Sequence, residues 1–428
     1  MNSKAINKVF YDSAKSFVVA AMSLVLSYLE QGERIPTTPI ERHVVDGDSS
    51  CRIDYVEQPD TWHFVYAHET QIRAIHEYDA CVKIMQADAV ISKHLDCLIG
   101  SSYSRFRMTA WDYLRNLLSR QLFKSQEKLR FDNEIFEKAY FDLEHFFYNE
   151  TIPTIAFSPL HNFNSEVDSL ELEEGLCIRK LKVKEREGLL DESRFSEFSL
   201  PEVLSLKYVI ELTYETKKMF GEMEIGRLPE ANPQEKINKL VIALRLFKPG
   251  VTGISIVRMR YDLDIPIMGT ITQGSLSRGL YFGKEYNLTN AELEDFKRFW
   301  NELGSADYQG IAIRRFNYAY LRGDPEDKLI DVMIALEALF LKGEKGGASS
   351  GTTIAVACSI LIGKNQLDRE KIKKTLTRAY TIRNCIVHGS EYERIRTDAK
   401  TSAKFDTLPE LVSEVEDYLR ESIKKLLD

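Results

Sequence analysis

Apolar positions recur at helical spacing at both ends of this chain and at strand spacing in the middle. In Phe131–Tyr148, the residues Ile135, Phe136, Ala139, Tyr140, Leu143, Phe146 and Phe147 fall on one helical face. Arg105–Phe123 repeats the pattern with Phe106, Ala110, Tyr113, Leu114, Leu117 and Leu118. Residues 1–150 therefore read as helical, broken by a long loop over Gly32–Asp60, which is rich in Pro, Gly, Asp and Ser. The longest apolar run, Phe17–Leu29, contains Ser23 and Ser27. It is shorter than the ~20 residues of a membrane span and reads as a buried helix, with a signal or anchor segment as the alternative.

From Ile152 the texture changes. Ile152–Phe157, Leu176–Val183 and Tyr208–Tyr214 are short and β-rich, and Val257, Met259, Tyr261 and Leu263 alternate with Arg258, Arg260 and Asp262 as in a half-exposed strand. Two helices interrupt, one opening at Asn232-Pro233 and one at the capping box Thr289-x-x-Glu292 and ending near Gly304. The last part returns to helix. Asp324-Pro325-Glu326-Asp327 is a helix start opening Lys328–Leu341. After a Gly/Ser loop, Gly343–Gly351, come Thr353–Ile362, Asp368–Val387 and Pro409–Leu427. These four helices predict a bundle. The expected fold class is α+β and multidomain: a helical region over 1–150, a mixed α+β domain over 151–310 and a helical bundle over 311–428.

Composition fits an ordinary globular chain, with 44% hydrophobic and 29% charged residues. Net charge is −8, yet residues 311–428 carry 20 Lys+Arg against 18 Asp+Glu. Whole-chain charge argues against indiscriminate nucleic-acid binding, and the C-terminal part remains compatible with it. The six cysteines, Cys51, Cys81, Cys97, Cys177, Cys358 and Cys385, form no CxxC, so neither a disulfide framework nor a zinc ribbon is indicated and a cytoplasmic setting is expected. Gly363-Lys364 lacks the earlier glycine of a P-loop, and no HExxH occurs. His63, His68 and His76 with Glu69 and Glu77 match no ligand spacing, and Asp142-x-x-His145 reads as structural. No metal or other cofactor is expected.

The candidate chemistry lies in Arg383-Asn384-Cys385-Ile386-Val387-His388, followed by Gly389. A fixed cation and a titratable imidazole stand close together at the end of a helix. Such a pair can bind and cleave a phosphodiester without a metal. With 27 arginines and eight histidines, about one such spacing arises by chance, so context decides. Arg383 lies in the apolar seam of Ile372, Leu376, Ala379 and Ile386, where an arginine needs a partner or a cavity. Glu337, the lone charge among Ile334, Ala335, Leu336, Ala338, Leu339 and Phe340, is the expected partner. It would fix bundle register, orient Arg383 toward a cleft, or both. His388 stands at the negative end of a helix that Gly389 stops, and an ordinary histidine exchanges protons near neutrality. Residues five apart on an ideal helix point about 140° from each other. The pair thus converges only at a helix end or across two copies. Arg369, Lys371, Lys373, Lys374 and Arg378 add cations on the same helix, with Lys374 and Arg378 the candidate phosphate-backbone contacts.

Four ordered blocks carry a family resemblance. They are Ala312-Ile313-Arg314-Arg315-Phe316-Asn317-Tyr318-Ala319-Tyr320, Asp324-Pro325-Glu326-Asp327-Lys328-Leu329-Ile330-Asp331, Ile334-Ala335-Leu336-Glu337-Ala338-Leu339-Phe340, and Ala379-Tyr380-x-x-Arg383-Asn384-x-x-Val387-His388-Gly389. Together they resemble the Apea-like branch of the HEPN superfamily over residues 311–428. The resemblance implies a four-helix bundle that dimerises through the motif-bearing helix. In many members that motif is a metal-independent endoribonuclease site of toxin–antitoxin and antiviral systems. By this resemblance His388 would be the general acid/base, Arg383 would stabilise the phosphorane, Asn384 would be the polar residue after the arginine, and RNA would be the substrate. Residues 1–310 would then sense a phage or protein trigger, or hold the bundle inactive. The alternative is a non-catalytic HEPN scaffold that binds RNA, nucleotide or protein. Some relatives carry His-x-Tyr as a regulatory nucleotidylation site. Here the order is His388-Gly389-Ser390-Glu391-Tyr392, and Tyr392 is given no role.

Overall fold

The computed structural model describes residues 5–47, 50–95, 98–101, 104–124, 130–193, 200–217, 223–224, 233–254, 256–263, 271–273, 283–304, 310–341, 350–389 and 407–427. The architecture is α+β. The N-terminal part comprises α1 (Lys8–Glu30), β1 (Thr37–Asp46), β2 (Ser50–Pro59), α2 (Thr61–Ala67), α3 (Glu69–Arg73), α4 (His76–Ala87), β3 (Leu98–Ser101), β4 (Ser104–Arg107), α5 (Ala110–Lys124) and α6 (Asn133–Tyr148). Asn7 caps α1 by accepting from the Phe10 amide. Phe10, Phe17, Val18 and Val25 of α1 meet Tyr113, Leu117, Tyr140 and Phe147 in one aromatic-rich core.

Two expectations fail in this part, and one element is longer than expected. Gly32–Asp60 is not a loop but a long antiparallel hairpin, paired from Thr37 opposite Pro59 to Asp46 opposite Ser50. Its strands hold Ile40, Val44, Val45, Ile53 and Val56, and these β-formers outweigh the scattered turn residues. It docks through His43, whose Nδ1 lies 2.9 Å from Asp191. The segment Arg105–Arg107 is strand rather than the start of α5. The helix around Phe17–Leu29 runs 23 residues, long and apolar enough by length and composition to cross a membrane. In the fold it buries one face, from Phe10 to Val25, against its neighbours.

The middle part contains β5 (Thr151–His161), β6 (Phe163–Ser165), β7 (Ser169–Glu173), β8 (Leu176–Lys180), α7 (Val183–Ser193), α8 (Leu200–Ser205), β9 (Tyr208–Lys217), β10 (Met223–Glu224), α9 (Pro233–Phe247), β11 (Gly253–Ile254), β12 (Val257–Tyr261), β13 (Ile271–Gln273), β14 (Tyr286–Leu288) and α10 (Leu293–Gly304). Its sheet runs β13-β12-β5-β9-β8-β7, with antiparallel neighbours and β11 beside the end of β5. The alternating segment forms β12, but it is more buried than expected. Arg258 is enclosed, and β12 is an interior strand between β5 and β13. The Thr289–Glu292 capping box is present. The Asn232 cap lies outside the described residues.

The C-terminal part has α11 (Ile311–Ala319), α12 (Pro325–Phe340), α13 (Ser350–Ile362), α14 (Gln366–Val387) and α15 (Leu408–Leu427). Helix α12 packs on α11, α13, α14 and α15, and α14 also meets α13 and α15. One hydrophobic core runs from Ala156, Ile210 and Leu240 of the middle part to Val332, Leu376 and Leu419 of these helices. A buried polar network reinforces the join. Arg420 on α15 donates to the Arg245 carbonyl on α9 (2.8 Å), to the Tyr320 hydroxyl (2.7 Å) and to Glu416 (2.7 Å). Arg245 in turn donates to the Thr252 carbonyl and to Asn317.

Candidate functional site around Arg383 and His388

Helix α14 begins with Asn365, whose side chain accepts from the Asp368 amide at 2.9 Å. It ends where the His388 amide donates to the Asn384 carbonyl (3.0 Å) and the Gly389 amide to Ile386 (3.2 Å). Gly389 has φ +64°, the left-handed conformation that stops a helix. His388 is thus the first residue past the last helical turn, and it is exposed.

One arc of α14 buries Ile372, Thr375, Leu376, Ala379 and Ile382. Arg383 belongs to that inward arc, its side chain only 20% exposed. Three groups hold it. The guanidinium Nη2 lies 3.5 Å from Oε1 of Glu337 in the last turn of α12. Nη1 donates to Oδ1 of Asn384 at 3.0 Å. The Tyr380 ring, one turn earlier, lies 5.9 Å from the guanidinium carbon. The Nε donor is buried and has no acceptor among the described residues. Arginine binds phosphate through a two-pronged edge of its fork. Here Glu337 stands at ion-pair range rather than in a short hydrogen bond, so Nε and Nη2 keep donor capacity.

Tyr380 is itself seated by an absence. A Cβ on Gly351, in the first turn of α13, would lie 2.6 Å from the ring's Cδ1. Any side chain at 351 would have to push that ring aside. Three helices therefore shape the guanidinium's surroundings: α12 through Glu337, α13 through Gly351, and α14 through Tyr380 and Asn384.

The fold does not bring every expected site residue together. Lys374 and Arg378 precede Arg383 by nine and five residues, about 180° and 140° around an ideal helix. They lie on the outward face, Lys374 exposed and Arg378 half-buried. His388 falls on that same side by helical angle. Within one chain Arg383 and Glu337 are joined, Lys374, Arg378 and His388 share another face, and the helix separates the two groups. Tyr380 and Gly351 carry no distinctive sequence signal of this role. Gly351 reads as the end of a Gly/Ser loop, and its place against Tyr380 depends on two helices meeting. No family model, no curated protein and no solved structure matches this chain.

Proposed function

We propose that the chain is a metal-independent endoribonuclease of the HEPN type, a cytoplasmic effector of prokaryotic antiphage or toxin-type defence whose C-terminal helices form the HEPN bundle. The observation that carries this reading is Arg383, fixed at the end of α14 by Glu337, Asn384 and Tyr380, five residues before an exposed histidine at the helix stop. The ordered residue blocks over 311–428 that resemble the Apea-like branch support it.

In this reading His388 removes the proton of an RNA 2′-OH or protonates the leaving oxygen. The 2′ oxygen attacks phosphorus, the bond from phosphorus to the 5′ oxygen breaks, and that oxygen takes up a proton. The products are a 2′,3′-cyclic phosphate and a 5′-OH end. The Arg383 fork stabilises the charge that builds on the non-bridging oxygens. No step uses a metal or another cofactor. DNA is excluded as a substrate because it lacks the nucleophile. Because Arg383 and His388 diverge on one helix, the working site takes Arg383 from one copy and His388 from a second in a homodimer. Residues 1–310 hold or release that arrangement in response to a trigger.

The divergence also favours the second reading, a scaffold in which Arg383–Glu337 is a structural pair only. Expression in bacteria of wild type, Arg383→Ala and His388→Ala, with and without phage challenge, separates the two. Sequencing of RNA ends should show new 5′-OH ends for wild type alone. Identical RNA ends in all three strains would leave the scaffold.

A further inference from the structure

The outward face of α14 carries a continuous row: Leu367, Lys371, Lys374, Arg378, Thr381, Cys385 and His388, spaced four and three residues apart. We propose that this row is a track for the sugar-phosphate backbone of a single-stranded nucleic acid, held by Lys374 and Arg378 and delivered to His388. The inference rests on the nuclease reading for its direction but not for the binding itself.

Three observations carry it. First, the cations are not equivalent. Lys371 is taken by Glu414 at 2.5 Å, whereas Lys374 and Arg378 enter no ion pair among the described residues, and the Arg378 Nε is buried without an acceptor. Unpaired cations on a chain of net charge −8 are available charge. Second, spacing fits a strand. Lys374 and Arg378 are about 6 Å apart along the axis, and His388 lies about 15 Å beyond Arg378. Third, the row lacks what other partners need. Thr381 and Cys385 offer no apolar stripe for a bilayer. Of the carboxylates beside the row, Glu370 accepts from Gln366 at 3.0 Å and Glu414 is paired with Lys371, and neither is paired with Lys374 or Arg378 among the described residues.

Contacts to phosphate alone carry no base information. Nor do they tell ribose from deoxyribose. The track should therefore hold RNA and single-stranded DNA alike, and discrimination between them falls to the 2′-OH chemistry at His388.

The test is anisotropy of a short labelled 2′-O-methyl RNA, which cannot be cut, and of DNA of the same sequence, with the full chain. Lys374→Gln/Arg378→Gln should weaken both ligands about tenfold and lower the salt slope by about 1.4, the value for two lost single-strand phosphate contacts. Lys374→Arg/Arg378→Lys should bind like wild type, and so should the control Lys425→Gln on α15. A double variant that binds within twofold of the control at every salt concentration overturns the proposal. So does a wild-type chain that binds neither ligand, or one that loses only RNA. Binding that follows these variants without any cleavage of ordinary RNA leaves the track standing and removes the nuclease. Cleavage that ignores them does the reverse.

Discussion

Glu337 and Arg383 face each other between α12 and α14, carboxylate to guanidinium at 3.5 Å, each side chain about three-quarters or more withdrawn from solvent. Removing one partner leaves the other charge half-buried and uncompensated. Glu337→Gln should lower unfolding stability by about 1 kcal/mol, less than for a fully buried pair because water still screens it. The double variant Glu337→Gln/Arg383→Gln should lose less than the two singles added together. Urea unfolding of the four proteins measures that coupling.

Gly351→Ala should cost about 1–3 kcal/mol, because the added methyl enters the Tyr380 ring. Tyr380→Leu in the same chain should recover part of the loss. If Arg383 depends on this seat, Gly351→Ala should also depress RNA cleavage more than stability explains. Melting temperature and single-turnover cleavage, measured side by side, decide this.

Arg420 is the hub joining the middle sheet to the C-terminal helices, with its side chain 2% exposed. Arg420→Met leaves buried Glu416 with Lys328 alone, at 2.6 Å, and removes the donor to the Arg245 carbonyl and the Tyr320 hydroxyl, and should cost about 3 kcal/mol. It should also split a single unfolding transition into two, as the middle and C-terminal parts lose their shared clamp. Denaturation followed by both circular dichroism and tryptophan fluorescence would reveal the split.

Acid should weaken the fold in two stages. Burial holds His161 neutral, with its pKa lowered to about 4. An unfolded histidine binds a proton below about pH 6.5. The unfolded chain therefore binds more protons between those values, and stability falls as pH drops through them. Burial pushes the Glu416 carboxyl up, but Lys328 and Arg420 outweigh it and hold the group below the usual range. Its contribution is present above the ordinary glutamate pKa and is lost at lower pH. His161→Gln should flatten the first stage and Glu416→Gln the second, as read from unfolding free energy across pH.

The order of helices and strands was legible wherever one period dominated. Thr289–Glu292 and Asp324-Pro325 marked helix starts, and both cap as their chemistry demands. The hairpin of β1 and β2 was not legible, because Pro39, Gly47 and the acidic residues mask a β-branched pattern that few core contacts sharpen. At the site, the inward angle of Arg383 and the opposite angles of Lys374 and Arg378 follow from counting residues. What counting could not supply was Gly351 under Tyr380, or Arg420 beneath Arg245. Those pairs are separated by 29 and 175 residues and exist only once the helices pack.

The angular separation of Arg383 and His388 makes its own demand. If each site combines Arg383 of one copy with His388 of another, mixing inactive Arg383→Ala with inactive His388→Ala should restore about a quarter of wild-type cleavage. A site built within one chain would restore none.

The central claim is tested most directly by incubating the purified chain with RNA in excess EDTA and mapping the ends. Wild type should produce 2′,3′-cyclic phosphate and 5′-OH ends, and Arg383→Ala and His388→Ala, folded and of unchanged oligomeric state, should produce none. Cleavage that needs a divalent cation, or that survives in His388→Ala, would contradict the account.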